Sequence, residues 1–380
     1  MHLSTDRILT THVGSLPRPD DLAAALLAKE KGEGNDPAAF EAVVARSVAD
    51  AVKRQVAVGI DVVSDGEMSK IAYSTYIQER LSGFSGHRPR KPNLDVAPFP
   101  RLREKMARIT GEQPFKRAVC TAPIAVVNRE PLRRDLANFG AALKGQHMTD
   151  AFLNAASPGV ITVFQSNDYY PSQEAYLGAL SDAMREEYEA IVGAGFLLQV
   201  DAPDLAMARH TTFQDLPEAE FLAQAQLQVE ALNAALVNVP KEKVRMHVCW
   251  GNYEGPHTHD IDVAKVLPLI LRSKIGAVSF EAANSRHSHE WKAWRDADLP
   301  DDLVLLPGVV DTTSNFVEHP ELVAQRIETF ADIVGRERVI ASSDCGFGTF
   351  AGFGKLDPDV SYLKLEALAE GARIASARLW

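Results

Sequence analysis

Three cysteines, Cys120, Cys249 and Cys345, among 380 residues are too few for a disulfide framework. Their thiols suit a reducing compartment and stay available as metal ligands. No apolar run approaches the ~18 residues needed to span a bilayer. The opening "MHLSTDRILTTHVGSLPRP" lacks a basic flank followed by an apolar core, so it does not read as a signal peptide, and a cytoplasmic location is expected. Basic residues form no cluster and the net charge is −11, which argues against nucleic acid or an anionic membrane as the main partner. A small-molecule substrate is expected instead. No glycine fingerprint follows the first strand-like run, and no solenoid repeat is present.

What remains is the composition of a globular enzyme, 46% hydrophobic and 24% charged. Eight short β-rich runs end in polar or glycine-containing turns: "THVGS" (11–15), "GIDVVSDGE" (59–67), "GVITVFQS" (159–166), "FLLQVDAPD" (196–204), "VRMHVCWG" (244–251), "AVSFEAA" (277–283), "LVLLPGVVD" (303–311) and "RVIASSDCG" (338–346). Amphipathic stretches at 38–58, 173–194, 218–237 and 320–335 lie between them. The last opens on Pro320 and places Leu322, Val323, Ile327 and Phe330 on one face. This alternation predicts an α/β fold, a single (β/α)8 TIM-type barrel over 1–380. The long gap between the second and third runs implies an insertion within about 75–155. A ninth run, "RAVCTAPIAVV" (117–127), reads as part of that excursion and not as a stave, which makes Cys120 dispensable for any site at the strand ends.

In such a barrel, chemistry gathers where the strands end. His247 and Cys249, two apart on one strand, share a face. Glu281 closes the next run and Cys345 the last. Two thiolates, an imidazole and a carboxylate make a tetrahedral set suited to Zn2+. On spacing alone, a packed core pair, a solvated carboxylate and a buried small hydrophobe remain the alternative.

The segments "TTHVGSLPRP", "GIDVVSDGE", "LQVDAPDL", "MHVCWGN", "SFEAANSR", "LPGVVDTTSN" and "SDCGFG" resemble, in order from residue 10 to 348, the catalytic barrel of the cobalamin-independent methionine synthase family. The resemblance implies zinc held by His247, Cys249, Glu281 and Cys345. It implies a homocysteine pocket in which Gly14, Ser15 and nearby amides take the carboxylate while Glu67 and Asp201 take the ammonium. Methyl transfer from 5-methyltetrahydrofolate, or from a simpler donor, to the homocysteine sulfur would follow.

The resemblance thins at the donor side. The family's second, N-terminal barrel has no counterpart in this sequence, and its folate-stacking tryptophan is replaced by "VFQSNDYYPS", where Tyr169 and Tyr170 are the candidate donor pocket. Weak discrimination between mono- and polyglutamate donors is therefore expected. A related branch, the epoxyalkane:coenzyme M transferases, is the second reading. Its sulfonate would call for a cationic pocket from Arg18, Arg286 or the histidines of "GPHTHD" and "SRHSHEW". A non-catalytic, zinc-stabilised barrel that binds a thiol is the third.

Overall fold

The structure, a computed structural model, describes residues 1–33, 36–110, 117–352 and 356–380. Its strands are β1 (Leu9–Thr10), β2 (Val62–Ser64), β3 (Phe84–Ser85), β4 (Val119–Cys120), β5 (Asp150–Ala156), β6 (Leu197–Asp201), β7 (Val244–Val248), β8 (Ala277–Phe280), β9 (Val304–Val310) and β10 (Ile340–Ser343). Eight of them form one sheet in the order β1-β10-β9-β8-β7-β6-β5-β2, and every pairing in it is parallel. The two ends of that order meet, because Asp61 N donates to Thr10 O at 3.1 Å and Thr11 Oγ1 donates to Val62 O at 2.9 Å. The sheet is a nearly closed eight-stranded barrel ringed by helices. No helix among the described residues is long and apolar enough to cross a membrane.

The helices follow their patterns. Pro37–Ala57 starts on Asp36, whose carboxylate accepts from the backbone of Ala38 and Ala39, with proline in the first turn. Gln173–Gly193 is capped by Ser172, and Pro320–Val334 by His319. In the last of these Val323, Ile327 and Phe330 are buried, whereas Leu322 is 41% exposed. The apolar stripe is therefore one residue narrower than the sequence pattern implies.

Six of the eight β-rich runs contain a stave, and the run at 11–15 begins where β1 ends. The remaining one needs correction. "GVITVFQS" is not the third strand: residues Pro158–Phe164 form a helix with every residue buried, and the third stave is β5, just before it. Ser157 caps that helix by accepting from Val160 N, and Pro158 occupies its first turn. A short apolar run that is buried all round has no periodicity to separate helix from strand. The excursion between the second and third staves consequently lies between Ser64 and Asp150. Within it, β3 and β4 form a two-stranded antiparallel ribbon outside the barrel, so the run at 117–127 is not a stave. Helix Glu130–Ala142 returns to pack against Pro37–Ala57 in the outer ring.

The main core fills the space between barrel and helices. The barrel interior is unusually polar: Arg245 is buried there, donating to Thr11 Oγ1 and to His12 O, each at 2.8 Å, with its guanidinium 4.0 Å from the Phe152 ring centroid. Outside, the helix Pro358–Leu379 approaches Pro320–Val334 through Gly371, where an added Cβ would lie 2.3 Å from Val323 Cγ1. Alanine at 371 would gain about 1 kcal/mol of helix propensity but overpack a backbone contact at a cost of about 1–3 kcal/mol. Gly371→Ala is therefore expected to lower the urea midpoint, and an unchanged or higher midpoint would show that these helices can separate freely.

Candidate active site

Parallel register brings the strand ends to one level: Asp201 lies beside His247, and His247 beside Ser279. One ligand atom each from His247, Cys249 and Cys345 lies within 4.8 Å of the others, and all three residues are buried. His247 Nδ1 is 3.3 Å from Ser279 Oγ. The thiols act on each other. Cys249 is lowered well below the ordinary thiol value by its hydrogen bond with Cys345, helped by His247 and opposed by burial; Cys345 is raised well above it by burial and by Cys249. The two thiols are thus driven apart, Cys249 towards thiolate and Cys345 towards thiol.

Glu281, expected with them, is buried but is not part of this trio and does not line the cavity. Its Oε1 accepts from Trp250 N at 2.8 Å and its Oε2 from Asn284 Nδ2 at 2.7 Å. Burial lifts its carboxyl to about 7. The loop that carries it is fixed by Asp344, the residue before Cys345. Asp344 Oδ1 accepts from the amides of Ala282 and Ala283, each at 2.8 Å, while Oδ2 accepts from Asn284 N at 2.9 Å and Asn284 Nδ2 at 3.0 Å. Gly308 makes room for it, since a Cβ there would sit 2.0 Å from Asp344 Oδ1.

A cavity of about 600 Å³ opens over the trio. Ser15, Glu67 and Asp201 line it together with His247, Cys249 and Cys345. Gly14 does not line it but allows its shape: the backbone there has φ +130°, and a Cβ would meet Asn154 Oδ1 at 2.1 Å. Asn154 Nδ2 instead donates to Asp201 Oδ2 at 3.0 Å, and Gln199 Nε2 donates to Asp201 Oδ1 at 2.9 Å. Glu67 sits at φ 55°, a left-handed conformation costly for glutamate, and its buried Oε2 has no hydrogen-bond partner. Burial raises Glu67 to about 8, with Asp201 adding to the rise and Lys70 and Arg18 opposing it. Lys70 donates to Asn154 O at 2.8 Å, and Arg18 donates to Glu67 O at 3.0 Å.

The aromatic wall of the cavity includes Tyr73, Phe164 and Tyr253, and its basic side carries Arg90, Lys91, Arg103 and the buried Arg117. Tyr169 and Tyr170 are not part of it. Tyr169 is 48% exposed, while the Tyr170 hydroxyl accepts from Ile124 N at 2.9 Å and its ring stacks on Tyr176. Tyr170 thus packs between the excursion and the helix that follows it. Nor do Arg18 and Arg286 line the cavity: Arg18 is buried against Gly348 O and Glu67 O, and Arg286 is exposed. Sequence reasoning missed Asp344, Asn284, Tyr73 and the basic side. Only Asp344, adjacent to Cys345, had a positional signal.

A carboxyl whose folded-state pKa is raised above its unfolded value holds its proton longer when folded. Its contribution to stability is complete below the unfolded value of 4.5 and is lost as pH rises towards about 8. In metal-free protein, Glu67→Gln removes that loss. Its stability relative to the parent should rise between about pH 5 and pH 8, followed by urea unfolding. A difference independent of pH would show that Glu67 is already ionised in the folded chain at neutral pH.

Residues 8–89 and 113–352 match the family model described as cobalamin-independent synthase, catalytic domain. The methionine synthase of Thermococcus kodakarensis is 27% identical over 375 residues, covering 97% of this chain and 94% of that protein. That of Saccharolobus solfataricus is 25% identical over 385 residues, covering 97% and 95%. Among solved structures, a B12-independent methionine synthase from Shewanella sp. W3-18-1, in complex with selenomethionine, superposes with a TM-score of 0.71 at 19% identity, over 98% of this chain and 99% of that one. The family match spans most of the sequence and takes in every strand of the barrel, and the chain is an enzyme of the cobalamin-independent synthase, catalytic-domain family.

Proposed function

We propose that residues 1–380 act as one catalytic barrel, a zinc-dependent methyltransferase of the methionine synthase type that moves a methyl group to the sulfur of homocysteine. The observation that carries this reading is the meeting of two buried thiols and an imidazole, within 4.8 Å, at the floor of a cavity whose wall offers an unpartnered carboxylate oxygen. The relatives named methionine synthase support it.

The donor set fits zinc. Two sulfurs and a nitrogen are soft to borderline ligands that magnesium and calcium do not favour. We assign His247, Cys249 and Cys345 as the residues that would hold it, with Glu281, the hardest donor, as the fourth that would yield most readily to a thiol. Zinc bound there would lower the substrate thiol's pKa and keep it as a nucleophilic thiolate. The rest is the work of the chain. Glu67 Oε2 and the Asp201 carboxylate receive the ammonium, and Asn154 and Gln199 hold Asp201 in place for it. Ser15 and neighbouring backbone amides receive the carboxylate. Tyr73, Phe164 and Tyr253 exclude water from the reacting sulfur and present flat faces to a ring-bearing donor. Sulfur forms its new bond to the methyl carbon as the donor's bond to that carbon breaks, and the thiol's proton balances the charge left on the donor.

The methyl donor is 5-methyltetrahydrofolate or a simpler compound. The cations of the basic side, Arg90 foremost with its buried Nε and Nη2 lacking partners, suit a donor with an anionic tail. That gives a polyglutamate more to grip than the sequence suggested. The same reading places the enzyme in the cytoplasm, where thiols stay reduced.

Three measurements test the proposal. Purified protein should carry zinc that is lost in Cys345→Ser together with activity, and retention of all zinc in that variant and in Cys249→Ser would refute the ligand set. Glu67→Gln should weaken homocysteine by the roughly 2–5 kcal/mol typical of a broken buried charge pair, while a thiol without an amine is little affected. Equal effects on both thiols would exclude ammonium recognition. In a product screen by mass spectrometry, methionine from homocysteine and methyl-folate supports the reading, whereas a hydroxyalkyl thioether from coenzyme M and an epoxide replaces it with thiol addition.

A further inference from the structure

Two loops beside the thiol pair carry the histidine-rich segments "GPHTHD" and "SRHSHEW". His259 and His289 face outward, but His257 and His287 are buried and turn towards Asp260. His257 Nδ1 lies 3.0 Å from Asp260 Oδ2, and His287 Nε2 lies 3.1 Å from the same oxygen. A third histidine, His210, reaches the cluster from the segment after β6. It is wholly buried, its Nδ1 is 3.3 Å from Asp260 Oδ1, and that nitrogen has no hydrogen-bond partner.

The outer nitrogens decide what the inner ones can do. His257 Nε2 is 3.0 Å from the carbonyl oxygen of Tyr253, and His287 Nδ1 is 2.8 Å from Glu290 Oε2. A carbonyl and a carboxylate only accept, so both nitrogens carry hydrogens. His210 Nε2 is 3.3 Å from the Tyr253 hydroxyl, whose own hydrogen goes to Asp95 Oδ2, so that hydroxyl accepts as well. Each neutral imidazole therefore turns a lone pair towards Asp260. As neutral rings, His257 and His287 set two lone pairs against Asp260, the three ligand atoms within 4.8 Å of one another, with His210 Nδ1 approaching the other carboxylate oxygen; positive charge, a proton or a metal ion, is what makes such a group stable. Burial holds His210 neutral, at about 4. Outer N–H groups anchored on carboxylate, carbonyl and hydroxyl are the supports that orient metal-ligating histidines.

We propose a second metal site, separate from the thiol pair, in which His210 Nδ1, His257 Nδ1, His287 Nε2 and an Asp260 oxygen bind a borderline divalent cation such as zinc or cobalt. Three imidazoles and one carboxylate are a tetrahedral set, without sulfur, of the kind such ions take. The ion would join the loop after β6, the loop after β7 that begins at Cys249, and the loop after β8 that begins at Glu281. His287 Nε2 lies 4.0 Å from Glu281 Oε2, so the site also positions the carboxylate assigned as the displaceable ligand. The assignment rests on its own four residues and needs nothing from the chemistry proposed at the thiols.

Cobalt(II) titration of metal-stripped protein tests it. The wild-type chain should take up about two equivalents: one with a sulfur-to-cobalt charge-transfer band, the other with ligand-field bands alone. The Cys249→Ser/Cys345→Ser variant should keep only the second class, and His257→Ala/His287→Ala only the first. A single class in the wild type, all of it showing the sulfur band, would overturn the proposal and leave protons on His257 and His287 as the cluster's positive charge. The wild-type titration decides even where a variant fails to fold, and loss of the sulfur class alone would count against the thiol site and not against this one.

Discussion

Asp344 is the constraint on which the arrangement of the site depends. Its carboxylate gathers four hydrogen bonds from the first three residues after Glu281, across the gap between β8 and β10, while its own amide donates to Val310 O at 3.0 Å. Strands β8 and β10 are not neighbours, for β9 lies between them. The glycine in β9, Gly308, lets the carboxylate cross over that strand. A fully buried carboxylate is costly unless paired or saturated with donors, and here backbone amides meet much of the cost. Cys345 and Glu281, 64 residues apart in sequence by their numbers, thus inherit a fixed mutual position from one side chain that does not line the cavity.

The floor of the cavity is held in a similar balance. Asp65, Glu67, Asp201 and Asp204 are all buried close together. Burial disfavours the charged form of Glu67, Asp201 and Asp204, raising Glu67 to about 8 and Asp204 to about 7. Lys70, Arg18 and Arg245 oppose that tendency from inside and beneath the barrel, and none of the three lines the cavity. The polar interior of the barrel thereby becomes intelligible. Arg245 occupies space that aliphatic residues would fill more cheaply, and its charge offsets the acids above it. Only two non-glycine residues among those described have left-handed backbones, Glu67 and His257, and each belongs to one of the two clusters that face a cation in the proposals above.

Much of this was legible before any coordinates. Strands end in polar turns because a parallel stave buried on both faces must be apolar until it leaves the barrel, so "VRMHVCWG", "AVSFEAA" and "RVIASSDCG" announced both the staves and the polar ends that meet at the cavity's side of the barrel. Failures came where burial erases pattern or where function is carried by neighbours. The buried helix Pro158–Phe164 has the β-branched look of a strand, and its capping serine was the overlooked sign. The twin tyrosines at 169 and 170 suggested a stacking platform, yet Tyr170 stacks on Tyr176 of its own following helix. Distant residues supplied the aromatic wall instead, from after β2, from the buried helix and from after β7.

The sequence by itself determined the donor types, their placement at strand ends and the eightfold α/β alternation, because these follow from local periodicity and from the chemistry of each side chain. Tertiary structure alone decided which donors meet and which stay unpaired. Cys249 and Cys345 shift each other in opposite directions, Asp344 fixes the loop that follows Glu281, Glu67 keeps one oxygen free, and His210 approaches Asp260 beside His257 and His287. Each of these is a property of dielectric and distance between residues far apart in the chain. Hydrogen-bond partners and proton affinities are set by what folding brings within about 3–4 Å, which no spacing along a sequence can specify.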